Sequence, residues 1–259
     1  MSGNLTALAW LSAHMVLRAS VAEFIVWRKY TVKNAFYCRI APFALYMLFI
    51  ALEQLAHFLS GKGILNLTEQ FYLFLYPIKV ISVAILLFVL RKSYTEVTFR
   101  EVFRPRIAFA ALGVGICVFV LWINMDMKQA VMGTMRGFNV DLVEDDMVRI
   151  FLVLSRLAGA ALVVPIMEEL FWRSFLIRYI ISPDFTKVPI GRFTWPSFLI
   201  ASVLFGLEHN LFLAGIMAGL AYNLLLYRTR SLSACIVAHG VTNLALGVYV
   251  LQTGKWYFW

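Results

Sequence analysis

Two glutamates, Glu168 and Glu169, stand side by side in a strongly apolar stretch that runs from Ile150 to Ile181, and Arg173 follows four residues after the second. A carboxylate at mid-membrane depth costs about 2.5–3.5 kcal/mol on an insertion scale, so acidic residues there are rare and usually functional. On a helix Glu169 and Arg173 are about 40° apart and one turn along, the spacing of an ion pair, while Glu168 points about 100° away from its neighbour. Arg173 can therefore neutralise Glu169 and leave Glu168 facing elsewhere, into a cavity, as a base that takes a proton from water. Trp172 lies one turn from Glu168 and would shield it from water, and Pro165 frees a backbone carbonyl and can bend the helix at this depth. The competing reading is a structural ion-pair network inside the membrane.

Two later apolar segments each carry a histidine with a partner one helical turn away: Phe205 with His209, and His239 with Asn243. The Phe205 ring can pack on His209 and fix its orientation. A lone histidine on an apolar helix is more often a satisfied core residue, but Gly206, Glu208 and Asn210 bring polarity that is hard to bury without purpose. Glu208 is either a partner for that histidine or the mark of a helix end. His239 and Asn243 can each donate toward a common point, which is what stabilising an oxyanion requires. Taken alone, that pair reads equally as glue between membrane helices, worth about 0.6 kcal/mol on average.

The elements that must position these residues follow from composition. Hydrophobic residues make up 62% of the 259 and charged ones only 14%, with a mean hydropathy of +0.81. A soluble domain is nearer half apolar and a quarter charged, so the fold class is all-α: a polytopic integral membrane bundle. A crossing helix needs about 20 mainly apolar residues. Segments that meet or approach this are Ile40–Phe58, Phe71–Leu90, Ile107–Ile123, Ile150–Ile181, Trp195–His209, Leu211–Tyr227 and Leu232–Leu251. Leu5–Val26 is either a poor eighth span or an interfacial helix; it has no cleavable-signal pattern. Seven to eight transmembrane helices leave no room for a soluble domain, so residues 1–259 read as one integral membrane domain with its chemistry at about 150–250.

The net charge of +9 comes from clusters between spans and sets orientation; it is not a nucleic-acid signature. Basic residues gather before the first clear span (Arg28, Lys29, Lys33, Arg39), after the second (Arg91 through Arg106), after the carboxylate-bearing helix (Arg178, Lys187, Arg192) and before the last (Arg228, Arg230). All four fall on one side, which the positive-inside rule makes cytoplasmic. The connector 124–147 carries Asp141, Glu144, Asp145 and Asp146, falls on the other side and reads as a solvated loop. Cys38, Cys117 and Cys235 show no disulfide spacing, and the last two read as small buried hydrophobes. Trp256 through Trp259 reads as an aromatic anchor at the membrane interface.

In order and spacing, Glu168-Glu169…Arg173, Phe205…His209 and His239…Asn243 resemble the CAAX prenyl endopeptidase and bacteriocin-processing family of intramembrane glutamate proteases. That family's pattern is E-E-x-x-x-R, then F-x-x-x-H, then H-x-x-x-N or H-x-x-x-D. The resemblance implies a helical fold with a conical cavity opening toward the cytoplasm. By analogy Glu168 and His209 would activate a water, His239 and Asn243 would hold the oxyanion, and Glu169, Arg173 and Phe205 would support them. It implies a protein or peptide substrate, lipidated or not, no cofactor, and residence in a bacterial or archaeal plasma membrane. The string from Phe171 to Arg178 resembles bacterial members associated with exosortase-type protein sorting.

Depth poses a difficulty. At 1.5 Å per residue His209 lies about 21 Å along its helix, whereas His239 stands early in its own span. Other readings use the same residues differently. Glu168, His209 and His239 could form a catalytic zinc site with one open position, although no H-E-x-x-H is present. Intramembrane charges could line an ion path in a transporter, against which no internal repeat is seen. A member without catalysis would be a membrane scaffold.

Overall fold

The computed structural model describes residues 34–127, 131–133 and 137–259; the segment Leu5–Val26 lies outside them. Helices dominate because backbone polar groups in hydrocarbon must be satisfied within their own segment. Among the described residues seven helices form: α1 (Asn34–Gly61), α2 (Glu69–Leu90), α3 (Pro105–Trp122), α4 (Asp146–Ile181), α5 (Trp195–Leu207), α6 (Phe212–Thr229) and α7 (Leu232–Thr253). Among the described residues no strand forms, only an isolated bridge between Val131 and Leu211. Helices α1 to α4 and α7 are long and apolar enough to cross a membrane.

Helix α5 is shorter than its apolar run suggests. Its 13 residues reach about 20 Å, against about 30 Å for the hydrocarbon core. It ends at Leu207, so His209 sits just past a helix end rather than within a span. That eases the depth difficulty, because a helix that stops short brings its terminal residues inside the bundle. The chain turns back at once into α6, and glycines let the two backbones touch. A Cβ on Gly206 would come within 2.7 Å of the Ile216 nitrogen, and one on Gly215 within 2.8 Å of the Gly206 Cα. Small residues at such crossings are how membrane helices approach closely.

Helix α4 is not a regular α-helix. π-helical turns at Gly159–Val163 and Leu170–Leu176 flank the short α-helical piece Val164–Glu169 that carries both glutamates. Pro165 explains the first of these: it cannot donate to the preceding turn, so carbonyls there are released. Helix α7 uses them. Asn243 Nδ2 donates to the Ala160 carbonyl at 2.9 Å, and Gly240 packs so closely that a Cβ would stand 2.6 Å from the Ala161 oxygen.

The helices run alternately between two ends. One end gathers the basic clusters. There Arg39, within α1 and only 5% exposed, bonds Glu96 through Nε at 2.8 Å and Nη2 at 2.7 Å. Ser174 of α4 also donates to Glu96, and Arg178 lies 3.8 Å from it. Arg39 and Arg178, read from sequence as flanking-loop charges, are thus buried partners in an ion-pair network. Burial alone would raise the Glu96 carboxyl, but hydrogen bonds and charge from Arg39, with the Ser174 hydrogen bond, hold it below the usual carboxylate range.

The other end gathers the acidic connector and the C-terminal turn. Trp256 Nε1 donates to Asp141 at 3.1 Å, and Tyr257 donates to Asp126 at 2.9 Å. Asp145 caps α4, accepting from the Val148 N–H at 2.9 Å. The aromatic tail is therefore not only an interfacial anchor: Phe258 is buried, and Trp259 packs edge-on to Phe138. Cys235 is buried as expected, whereas Cys117 is exposed on the outer face of α3; all three thiols are free.

Candidate active site

The carboxylate layer is built by α4: both glutamates end its short α-helical piece, and Arg173 lies in the π-helical turn that follows. Glu169, with no exposed surface, accepts from Arg173 Nη1 at 3.0 Å, as helical spacing predicts. The same oxygen, Oε1, also meets His239 Nδ1 of α7 at 3.0 Å. Arg173 is 1% exposed and is held on its other side by Asn223 of α6, whose Oδ1 accepts from Nε at 3.0 Å. Asn223 in turn donates to Ser202 of α5 at 2.9 Å. The guanidinium also lies 4.4 Å from the centre of the Phe205 ring, a cation–π contact that strengthens away from water. Phe205 thus supports Arg173 as well as His209. Neither Asn223 nor Ser202 was legible as a partner, since neither stands at helical spacing from the charged motif residues and each meets its partner across helices.

The two imidazoles share an arrangement. His209 Nδ1 lies 2.7 Å from the Phe205 carbonyl; a carbonyl only accepts, so that nitrogen carries the proton. His239 likewise spends Nδ1 on Glu169, and its ring stacks on Tyr222 at 5.1 Å between centroids. Tyr222 is itself fixed by Thr242 at 2.8 Å. His209 is flanked by Phe205 at 4.9 Å and, edge-on, by Trp122 at 5.4 Å. With both Nδ1 atoms engaged and both rings clamped, the remaining chemistry of each histidine lies at Nε2.

Those groups meet at one cavity of about 230 Å³, whose wall includes Glu168, Phe205, His209, His239 and Asn243. Glu169 and Arg173 stand behind the wall, ion-paired. Glu168 is 4% exposed, and its Oε2 has no hydrogen-bond partner. An orphaned carboxylate oxygen in such a place is costly. Trp172 does not pack as a simple shield; its Nε1 donates to Glu208 at 3.1 Å, and Glu208 also lines the cavity. Asn243 gives one amide hydrogen to Ala160 and keeps a second.

The wall holds residues that motif spacing could not reveal. Trp122 and Trp259 bring buried indole N–H groups without partners. Arg156 lies 4.2 Å from the centre of the Tyr76 ring and 5.2 Å from that of Phe138. They come from the end of α3, the C-terminal turn and the first part of α4, where a Trp or Arg near a span end looks like an interfacial anchor. Among the described residues no group of three His, Cys, Asp or Glu side chains could hold a metal ion. Glu168, His209 and His239 share a cavity without forming a ligand cluster.

Compared with the curated proteins and with the solved structures, the chain finds no match in either. A family model does match. Residues 150–245, which carry Glu168, Glu169, Arg173, Phe205, His209, His239 and Asn243, are similar over that stretch to the family described as Type II CAAX prenyl endopeptidase Rce1-like, a family of endopeptidases.

Proposed function

We propose that this protein is an intramembrane endopeptidase of the glutamate type that hydrolyses a peptide bond of a protein or peptide substrate inside the cavity. The observation that carries the reading is Glu168: a buried carboxylate with an unpartnered oxygen, in one wall with two imidazoles whose Nδ1 atoms are already spent. Glu169, in contrast, stands behind the wall with Oε1 bonded by both Arg173 and His239, and serves as their counter-ion.

Water held between Glu168 and Nε2 of His209 loses a proton to Glu168 as its oxygen bonds to the scissile carbonyl carbon. The carbonyl π bond opens and leaves an oxyanion. Asn243 offers its second amide hydrogen to that oxygen. His239 donates through Nε2 as the imidazolium, with Glu169 as its partner. When the tetrahedral species collapses, the C–N bond breaks and the proton on Glu168 passes to the leaving nitrogen. Water and peptide are consumed, and a carboxylate and an amine result.

The test compares membrane proteomes from cells carrying the wild-type protein, Glu168→Gln, or none. New peptide termini should appear only with the wild type. Identical sets of termini in all three would overturn the proposal.

A further inference from the structure

The cavity and the basic clusters lie at opposite ends of the bundle, and this bears on the side from which a substrate arrives. Trp122 ends α3, His209 and Glu208 follow the end of α5, Arg156 stands in the first part of α4, and Trp259 follows α7. Each belongs to the end that carries the acidic connector. That connector reaches the site directly: Val131 bridges Leu211, and Met132 N–H bonds the Asn210 carbonyl at 2.7 Å.

Toward the basic end the way is closed. Glu169, Leu170, Arg173, Ser202 and Asn223 form a layer in which no residue is more than 1% exposed. Beyond it lies the second buried network around Arg39 and Glu96. The rim toward the acidic end is different: Glu208 and His209 are partly exposed and Asn210 is exposed.

A cytoplasmic location for the basic loops and a cavity opening to the cytoplasm therefore cannot both hold. Lys and Arg outnumber Asp and Glu at every basic-end connector, whereas the 124–147 connector carries only Lys128 and Arg136 beside Asp126, Asp141, Glu144, Asp145 and Asp146. Short connectors with this bias decide orientation. Resting on the endopeptidase reading, we infer that the site is entered from the extracytoplasmic side. Its substrates are membrane-anchored or exported polypeptides whose scissile bond emerges on that face. A lipidated tail that stays in the cytoplasm would meet the closed end.

The experiment reads access independently of catalysis. In a Cys117→Ala background, Asn210→Cys at the rim, Glu144→Cys in the acidic connector and Arg100→Cys at the basic end are each exposed to a membrane-impermeant maleimide. Asn210→Cys and Glu144→Cys should label in intact cells as fully as after permeabilisation, and Arg100→Cys only after permeabilisation. The reverse pattern overturns the inference. Glu144→Cys keeps it falsifiable if Asn210→Cys does not fold. New termini in the proteome comparison should also map to extracytoplasmic segments. Termini with reversed labelling would sink the sidedness alone, and correct labelling without termini would sink the protease reading alone.

Discussion

Two buried ionic networks sit on α4, one helical stretch apart, and they are satisfied to different degrees. At the basic end both oxygens of Glu96 are bonded, by Arg39 and Ser174. At the cavity, Glu169 has one oxygen bonded twice and the other unpartnered, and Glu168, which lines the cavity wall, keeps a buried oxygen with no partner. A satisfied network fixes α1, α4 and the intervening connector against each other. An unsatisfied one stores the desolvation cost of a carboxylate that has not yet met its partner, which suits a group waiting for water and substrate.

The largest expected effects separate the two networks. Glu168→Gln should lower turnover by about 10²–10⁴-fold, the range for losing a general base, with the melting temperature unchanged or raised because an uncompensated buried charge is gone. Glu96→Gln should do the opposite, keeping turnover per folded molecule while stability falls by about 3–5 kcal/mol as Arg39 loses its partner. Glu169→Gln should resemble Glu96→Gln in stability, since Arg173 is stranded, and should damage turnover less than Glu168→Gln. Kinetics and thermal unfolding of the purified variants would check all three. Equal, mild activity losses in both Glu168→Gln and Glu169→Gln would erase the division of labour between the neighbours.

This division was partly legible in the sequence. Charges in apolar runs stand out, and helical spacing alone pairs Glu169 with Arg173 while turning Glu168 away. Phe205, His209, His239 and Asn243 were visible for the same reason. The π-helical turns were not, because Pro165 signals a broken backbone bond but not where the register is absorbed. Nor was the aromatic half of the cavity: Trp122 and Trp259 look like membrane anchors until the short α5 and the C-terminal turn fold over them. Arg39 stands at the edge of an apolar run, so it counted as a loop charge; only the contact with Glu96, far along the chain, reveals it as buried. Helical periodicity carries information over a few turns, and these pairings are long-range.

A smaller effect tests whether α7 is machinery or glue. Asn243→Ala removes a hydrogen bond to Ala160, worth about 0.5–1.5 kcal/mol of stability, and, in the proposed mechanism, an oxyanion donor worth up to about 10²–10³-fold in turnover. His239→Ala should show the same fall in turnover, with little change in KM. If both variants keep normal turnover and lose only stability, the pair holds helices together and the oxyanion must be met elsewhere, with the free indole N–H of Trp122 the next donor to test.

The basic-end network also predicts a pH dependence. Glu96 is held below its usual value in the folded protein, so its contribution is fully present above about pH 4.3, the unfolded value, and is lost as pH falls through the depressed folded one. Thermal unfolding of wild type and Glu96→Gln in detergent should differ near neutrality and converge as the solution is acidified. A gap that stays constant with pH would mean that packing of Arg39, not charge, holds this end together.

The smallest expected effect is none at all. With Nδ1 of His209 bonded to a backbone carbonyl and Nδ1 of His239 bonded to a carboxylate, both histidines have the outer partners that metal-bound histidines also have. The two mechanisms are therefore close in appearance, and the difference is whether Glu168 and the two Nε2 atoms hold water or a cation. The side chains do not cluster as a ligand set, so removing divalent ions from the solubilised protein should leave turnover and melting temperature where they were. A zinc centre would behave otherwise. Three helices tied through one ion would loosen on chelation, the melting temperature would drop, and activity would return with added Zn²⁺. Near-stoichiometric zinc in an active preparation would move Glu168 from base to ligand and leave the contrast with Glu96 standing, because in either case the cavity carboxylate is the one kept free for a partner that the fold itself does not supply.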